Sequence, residues 1–502
     1  MSAVNDFEQL IAGLQGDSTR VVWGGGDLSD AALGARVRAC AETLAASGAR
    51  RIASRLDNGP EWLVLDLAIR ALDAVHVPLP TFFAPQQIAH ALRDSGADLL
   101  VQPSGAPLPE GVTASEPSPA ILLDDGLCAL RLAGSESPLP AGTACISYTS
   151  GTTGAPKGVC LDVSALYTVA RSLAVAPGSL APRRHLCLMP LSTLLENIAG
   201  VYAALMSGAE IAVPTLAEIG YRGDAGLDAH RLLACLQRYR PESAIVLPQL
   251  LLALVMAVEQ GAPWPDSLRF LAVGGGRVGT ALLARAQALG IPVYEGYGLS
   301  ECGSVVCLNR PDAIRLGSVG RPLPHAKVSV VDGELWVDGA RSLGYLGETA
   351  MPSGPIATGD LGHIDADGFV YVTGRRKHLI ITSYGRNLSP EWVESELLQH
   401  PAIAQAVVFG EARPFNVAVI WPRRETITRD ALREALAAIN RDLPAYAQVR
   451  DAVRADAPFR AADGLLTANG RPKRDAIAAR YRAASDACYR NADIPTIEGV
   501  IA

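Results

Sequence analysis

YTSGTTGAPKG, residues 148–158, sets Gly151, Gly154 and Gly158, the hydroxyls of Thr149, Ser150, Thr152 and Thr153, and Lys157 in one uninterrupted run. Glycines let backbone N–H groups approach an oxyanion with no side chain in the way, hydroxyls add donors, and the lysine adds a mobile positive charge. The run reads as a phosphate cradle with a nucleoside triphosphate as its ligand. It is not a G-x-x-x-x-G-K-[ST] loop, because Lys157 follows Pro156 and precedes Gly158, and a P-loop phosphotransferase loses weight accordingly. Apolar residues Ala144 to Tyr148 precede it and ordinary sequence resumes at Val159, which predicts a strand leading into the loop. The alternative is a Gly/Thr-rich surface turn that binds nothing.

A chain of 502 residues exceeds what one hydrophobic core supports, so two or more domains are expected. With 49% hydrophobic and 19% charged residues it is a well-buried globular protein, which excludes extended disorder. A net charge of -7 leaves no electrostatic footprint for nucleic acid or an anionic membrane. No run of about eighteen apolar residues occurs, and MSAVNDFEQL has no basic or apolar signal-peptide pattern, so a cytoplasmic protein without integral membrane association is expected. Nine cysteines without a C-x-x-C pair read as reduced thiols, and eight histidines without paired spacing argue against bound zinc.

From about Asp17 to Leu130, helical patterns such as LSDAALGARVRACAETLAAS alternate with apolar runs such as EWLVLDLAIRALDAVHVPL. The rhythm continues through HLCLMPL, GAEIAVP, ESAIVLP, LRFLAVGGG and IPVYEGYG, each a short apolar strand with a helix-like segment after it. An α/β fold follows: a large N-terminal domain of parallel sheets with helices on both faces, and ligands at the carboxyl ends of the strands. Near residue 328, KVSVVDGELWVDG and GFVYVTG alternate around D-G turns and predict a small antiparallel β subdomain. The remainder, with a βαβ-like stretch from Ile403 to Trp421 and helices around 430–440 and 473–485, reads as a small α+β C-terminal domain. The boundary is placed at 374–378, giving domains 1–374 and 375–502.

Three further segments carry chemistry. Gly274, Gly275 and Gly276 end an apolar run, where missing side chains would let a flat base lie on backbone. In VYEGYGLSECGS, Tyr297 beside Gly298 offers a ring to a purine, and Ser300 and Glu301 follow it, the carboxylate suited to a magnesium ion bridging phosphates. In TGDLGHIDADGFVYVTGRRKHLI, Asp360 can accept both ribose hydroxyls and Arg375 can reach the same sugar or a phosphate, whereas Asp365 and Asp367 are turn formers.

Together these segments resemble the adenylate-forming superfamily of acyl-CoA synthetases, peptide-synthetase adenylation domains and luciferases, over roughly residues 20–485. YTSGTTGAPKG matches its phosphate loop, YGLSE its Y-G-x-[ST]-E motif, TGD its ribose motif and GRRK its hinge motif, with Lys377 at the hinge. The resemblance implies ATP and Mg2+, an acid joined to AMP with loss of pyrophosphate, then transfer to the thiol of CoA or of a carrier protein's phosphopantetheine as the small domain rotates. MPLSTLLENIAGVYAALMSGA, residues 189–209, is similar to the segment beside the acyl pocket, with Thr193 where relatives carry a histidine or aromatic. Leu194, Leu195, Ile198 and Gly200 suit an apolar fatty or aryl acid, or simply a buried amphipathic helix, and Glu196 and Asn197 read equally as a cap, a surface pair or a gate. Gly385 and Asn387 match the segment that faces the thiol tunnel. The sharpest departure is LLTANGRPKRDAI, where Arg471 stands at the position of the family's acyl- and phosphate-contacting lysine and Lys473 lies two residues on. The implied activity is an acid–CoA ligase. The other expectations are a carrier-protein-loading acyl-AMP ligase, and a nucleotide-binding protein impaired by Arg471.

Overall fold

The structure is a computed structural model, and it describes residues 9–114, 121–123, 126–134, 137–149, 156–221, 227–348, 351, 353–383, 386–467 and 470–490. Two large sheets dominate. In the first, of nine strands, Val293–Leu299, Phe270–Val273, Ser243–Val246, Arg184–Leu186, Glu210–Ala212 and Thr19–Trp23 run parallel in that spatial order. The first five contain the short apolar runs read from the sequence, and the central Ser243–Val246 and Phe270–Val273 are covered on both faces as an inner parallel strand requires. In the second, of eight strands, Cys145–Thr149, Val75–Pro78, Arg51–Ser54 and Leu99–Pro103 form the parallel centre. The phosphate-cradle sequence joins Cys145–Thr149 to the antiparallel strand Lys157–Leu161, so the loop tips a β-hairpin.

One core lies between these sheets. It joins Val21 and Ile211 of the first to Ile52 and Leu99 of the second, with Trp62, Leu166 and Ile198 from intervening helices. EWLVLDLAIRALDAVHVPL divides here: Pro60–Ala71 is a helix, with proline in its first turn, and only Val75–Pro78 is a strand. A helix buried on nearly every side shows no amphipathic period to read.

The four strands Ala326–Val331, Glu334–Gly339, Ile356–Ile364 and Val370–Arg375 form the expected antiparallel sheet. Asp332 and Gly333 take φ of 49° and 75°, the two positive values that a tight hairpin turn demands. In the C-terminal region the expected βαβ unit at 403–421 is instead a hairpin of Ile403–Phe409 against antiparallel Asn416–Pro422. The connection is too short to hold a crossover helix. The parallel crossover comes next, from Asn416–Pro422 through the helix Arg429–Ile439 to Val449–Arg454.

A charged network is sealed inside the inter-sheet core. Asp66 Oδ1 lies 2.6 Å from His76 Nδ1, Tyr202 donates to Asp66 Oδ2 at 2.6 Å, and Asn197 Nδ2 donates to the same oxygen at 3.3 Å. Arg70 donates to Tyr202 at 3.2 Å and to the Ala144 carbonyl, while Ser54 closes on His76 Nε2 at 2.8 Å. Burial works against the Asp66 charge, but Arg70, His76 and Tyr202 outweigh it and hold the carboxyl at about 2. Asp66→Ala leaves the Arg70 guanidinium buried beside no counter-charge and is expected to cost about 3–5 kcal/mol of stability in a denaturant titration, against less than about 1 kcal/mol if the network is dispensable.

Candidate functional site

The predicted site residues come together where the carboxyl ends of the first sheet's strands face the antiparallel sheet and the C-terminal region. Ser150, Gly151, Thr152, Thr153, Gly154 and Gly385 lie outside the described residues. The stem of the cradle is present, with Thr149 and Lys157 as cross-strand partners. Lys157 is exposed, its Nζ 2.8 Å from Glu348 Oε1 and 5.1 Å from the centre of the Tyr345 ring. An exposed pair of this kind is worth about 0–1 kcal/mol, so a phosphate can displace the carboxylate at little cost.

Gly274, Gly275 and Gly276 turn out of Phe270–Val273 into the cleft. Gly275 has φ of 76°, a left-handed conformation that favours glycine, and a Cβ on it would press on the tip of Leu247 at 2.8 Å. Tyr297 donates to Asp360 Oδ2 at 2.7 Å, and Arg375, the cross-strand partner of Asp360, sets its Nε 3.3 Å from Oδ1. Burial raises the Asp360 pKa, opposed by Arg375 and Tyr297. Gly298 packs on the Ser304 carbonyl with no room for a Cβ, which fixes the turn that presents Ser300 and Glu301. Glu301 accepts a hydrogen bond from the Tyr345 hydroxyl.

From the C-terminal region Arg471 reaches across the cleft, donating from Nη2 to the Gly275 carbonyl at 2.8 Å. Its loop is pinned by Thr467, whose N–H donates to the Arg471 carbonyl at 2.7 Å and whose hydroxyl accepts the Arg471 N–H at 3.0 Å. Desolvation within the cleft and neighbouring Arg375 push the Arg471 pKa down, and Asp360 and Glu301 pull it up. Lys473 borders the same cavity, and its own N–H is spent on the Leu465 carbonyl. Lys377 sits in the short turn Arg376–His378, its pKa lowered by burial and Arg375. Asn387 is exposed on the small strand Asn387–Leu388.

Thr193 lines the cavity half-buried and donates to the Pro190 carbonyl at 2.7 Å. Glu196 and Asn197 are both buried, which excludes the surface-pair reading: Glu196 binds His185 at 2.9 Å and the Met189 N–H at 2.8 Å, and Asn197 joins the Asp66 network. Their segment, Leu195–Tyr202, winds as a π-helix, a form that recurs at functional sites.

Sequence reasoning missed Tyr345, Arg277 and Glu295. Arg277 directly follows the three glycines and donates to the Val372 and Thr373 carbonyls at 3.0 and 3.1 Å, tying the glycine turn to the strand before Lys377. Glu295 is buried beside it, and burial raises its carboxyl to about 8, with Arg277 and the Val278 N–H pulling down. Position was the available signal: one follows GGG and the other stands two residues before Tyr297. Tyr345 carries none.

Comparison with known proteins covers both regions that meet at the cleft. The sequence model of a family described as AMP-binding enzyme matches residues 9–346, and one described as AMP-binding enzyme C-terminal domain matches residues 377–493. The long-chain-fatty-acid–CoA ligase FadD15 of Mycobacterium tuberculosis is 30% identical over 447 residues, 74% of each chain. A 2-succinylbenzoate–CoA ligase of Bacillus velezensis is 31% identical over 398 residues, 72% of this chain and 75% of its own. The fold is that of the anthranilate CoA ligase AuaEII in complex with anthranoyl-AMP, with a TM-score of 0.79 at 21% identity over 97% of this chain and 98% of that one. The o-succinylbenzoate CoA synthetase of Bacillus subtilis, in complex with ATP and magnesium ion, superposes with a TM-score of 0.72 at 24% identity over 94% and 98%.

Glu295 gives a test with a defined sign. Its folded pKa of about 8 lies above the ordinary 4.5, so between those values the folded state holds a proton that the unfolded state has lost, and stability falls as pH rises. Glu295→Gln removes that loss. It is expected to gain roughly 2–5 kcal/mol on the native protein between pH 5 and pH 9 in denaturant titrations; a difference that does not change with pH contradicts the assignment.

Proposed function

This chain belongs to the AMP-binding enzyme family and is an acid–thiol ligase, and we propose that it joins an apolar fatty or aryl carboxylic acid to AMP and passes the acyl group to CoA. The observation that carries this reading is the contact of Arg471 with the Gly275 carbonyl beside the Asp360–Tyr297–Arg375 cluster. It closes a cationic side chain over the place where a nucleotide's sugar and α-phosphate meet the acid.

A carboxylate is a poor electrophile, so its oxygen first attacks the α-phosphorus of ATP, pyrophosphate leaves, and a mixed anhydride forms. Two anions must be brought together. Arg471 offsets that repulsion, its planar fork holding a carboxylate oxygen and a phosphate oxygen at once. Asp360 accepts from the ribose hydroxyls while Arg375 and Tyr297 hold its carboxylate in place. Lys157 exchanges Glu348 for the outgoing pyrophosphate. Glu301, half-buried at the cleft with one oxygen bonded to Tyr345, fits a magnesium ion that needs one protein carboxylate and takes its other ligands from phosphate and water. That ion would neutralise charge on the β- and γ-phosphates. In the second step the thiol attacks the acyl carbon and AMP departs. The C-terminal domain, from residue 375, would rotate about Lys377 to remove Arg471 and bring the Gly385–Asn387 segment to the cleft.

AMP and pyrophosphate release is to be measured with ATP and magnesium across a panel of fatty, aryl and amino acids, each with and without CoA. Release with a fatty or aryl acid, stimulated by CoA, is the expected result. Release indifferent to CoA but stimulated by a phosphopantetheinylated carrier protein would favour a carrier-loading ligase, and no release with any acid would contradict the reading. Lys377→Pro is expected to leave adenylate formation within about twofold of native and to slow thioester formation by at least about tenfold; equal loss of both steps would remove the hinge role.

A further inference from the structure

The cavity that opens on the Gly274–Gly276 turn continues along the face of the first sheet, within a total cleft of about 2990 Å³. Ala272 and Phe270 line its floor on one strand, with Ile245 and Ser243 beside them on the next, where Ser243 pairs with Phe270 and Ile245 with Ala272. The roof is the run from the π-helix into Ala203–Ser207, which presents Ala199, Ala203 and Ser207 to the gap. The roof residues are small, and on the floor the small Ala272 and Ser243 alternate with the larger Ile245 and Phe270. From Gly274 back to Phe270 is four residues, roughly 13 Å of strand, and an extended carbon chain gaining roughly 1.2 Å per bond covers that in about ten bonds.

At the depth of Ser243 the lining is not apolar, and beyond it the same cavity is bordered by Pro182, Arg183 and Gly208. Ser243 Oγ lies 3.0 Å from His185 Nδ1, His185 Nε2 lies 2.9 Å from Glu196 Oε1, and Glu196 Oε2 accepts the Met189 N–H at 2.8 Å. Gly200 lets the helix close on this relay, since a Cβ there would collide with Glu196 and His185. Cys187 Sγ completes a buried cluster in which one ligand-type atom from each of His185, Cys187 and Glu196 lies within 4.8 Å of the others. In the tautomer that donates from His185 Nε2 to Glu196, Nδ1 accepts and Ser243 donates to it. Ser243 lines the channel, and donation to His185 spends its proton and leaves its acceptor capacity for a donor there. An aliphatic chain beside Ser243 offers those lone pairs no donor, whereas a hydroxyl on the chain does.

We propose that Ser243 is a specificity-determining residue that accepts a hydrogen bond from a hydroxyl at the distal end of the acyl chain, so that the enzyme prefers an ω-hydroxy acid of about ten carbons to its unsubstituted counterpart. The inference rests on the acid–CoA ligase reading and names its substrate class. The relay through His185 and Glu196 orients the serine and does no bond chemistry.

The test is steady-state pyrophosphate release with ω-hydroxydecanoic, decanoic and benzoic acids, by the native enzyme and by Ser243→Ala. The native enzyme is expected to show a KM about tenfold lower for the hydroxy acid than for decanoic acid at similar kcat, the effect of one buried hydrogen bond. Ser243→Ala is expected to erase the difference by raising the KM of the hydroxy acid alone. Should that variant fold poorly, Ser243→Cys keeps the volume with a weak acceptor and is expected to narrow the difference in the same direction. Equal KM values in the native enzyme, or a variant that moves both acids alike, would overturn the proposal. Release with benzoic acid and with neither ten-carbon acid would overturn it while leaving the ligase reading intact, whereas release with no acid in either panel would contradict the ligase reading and this assignment with it.

Discussion

The hydrogen bond from Arg471 to the Gly275 carbonyl, 2.8 Å long, is the contact on which the arrangement of the cleft depends. It joins a loop near the end of the chain to a turn that leaves the first sheet almost two hundred residues earlier. Gly275 holds that turn in a left-handed conformation, φ 76°, which glycine adopts without strain. Arg277 fastens the same turn to the Val372 and Thr373 carbonyls, just before Arg375 and Lys377. The turn is thus held from two sides, and rotation about Lys377 would release the Arg471 attachment while leaving that of Arg277, whose partners precede the hinge. In the proposed reaction that release is what lets one cleft serve two steps in sequence.

Beneath the cleft lie two buried polar clusters, and they do different work. Asp66, Arg70, His76 and Tyr202 lie between the sheets with their donors and acceptors directed at one another, a pattern that fixes the register of the helix Pro60–Ala71. Ser54, His76 and Asp66 have the spacing of a nucleophilic triad, yet all three are closed off in the core and belong to that scaffold. The Ser243–His185–Glu196 relay ends instead at Ser243, which lines the channel. Access to a cavity, more than the identity of the residues, separates the two.

Much of this was legible in the sequence. The five apolar runs between Leu186 and Tyr297 became neighbouring parallel strands because a doubly covered strand must be apolar throughout, and D-G turns marked the antiparallel hairpins. Asp360, Tyr297, Arg375 and Glu301 were found by motif, and the fold brings them to one place. Other features were hidden for physical reasons. The helix Pro60–Ala71 is apolar on nearly all sides and has no amphipathic period, and the 403–421 hairpin and a βαβ unit share the same apolar strands, distinguished only by the length of their link. His185, Glu196 and Ser243 come from a strand, a helix and a second strand, so their meeting is a tertiary event that spacing cannot report.

The central claim is that Arg471 acts in the first step and withdraws from the second. ATP–pyrophosphate exchange by Arg471→Ala, set beside thioester formation by the same variant from supplied acyl-adenylate and CoA, tests it most directly. The account predicts that exchange falls about 10²–10³-fold while thioester formation stays within a few-fold of native. Exchange at the native rate, or an equal loss in both steps, would contradict it.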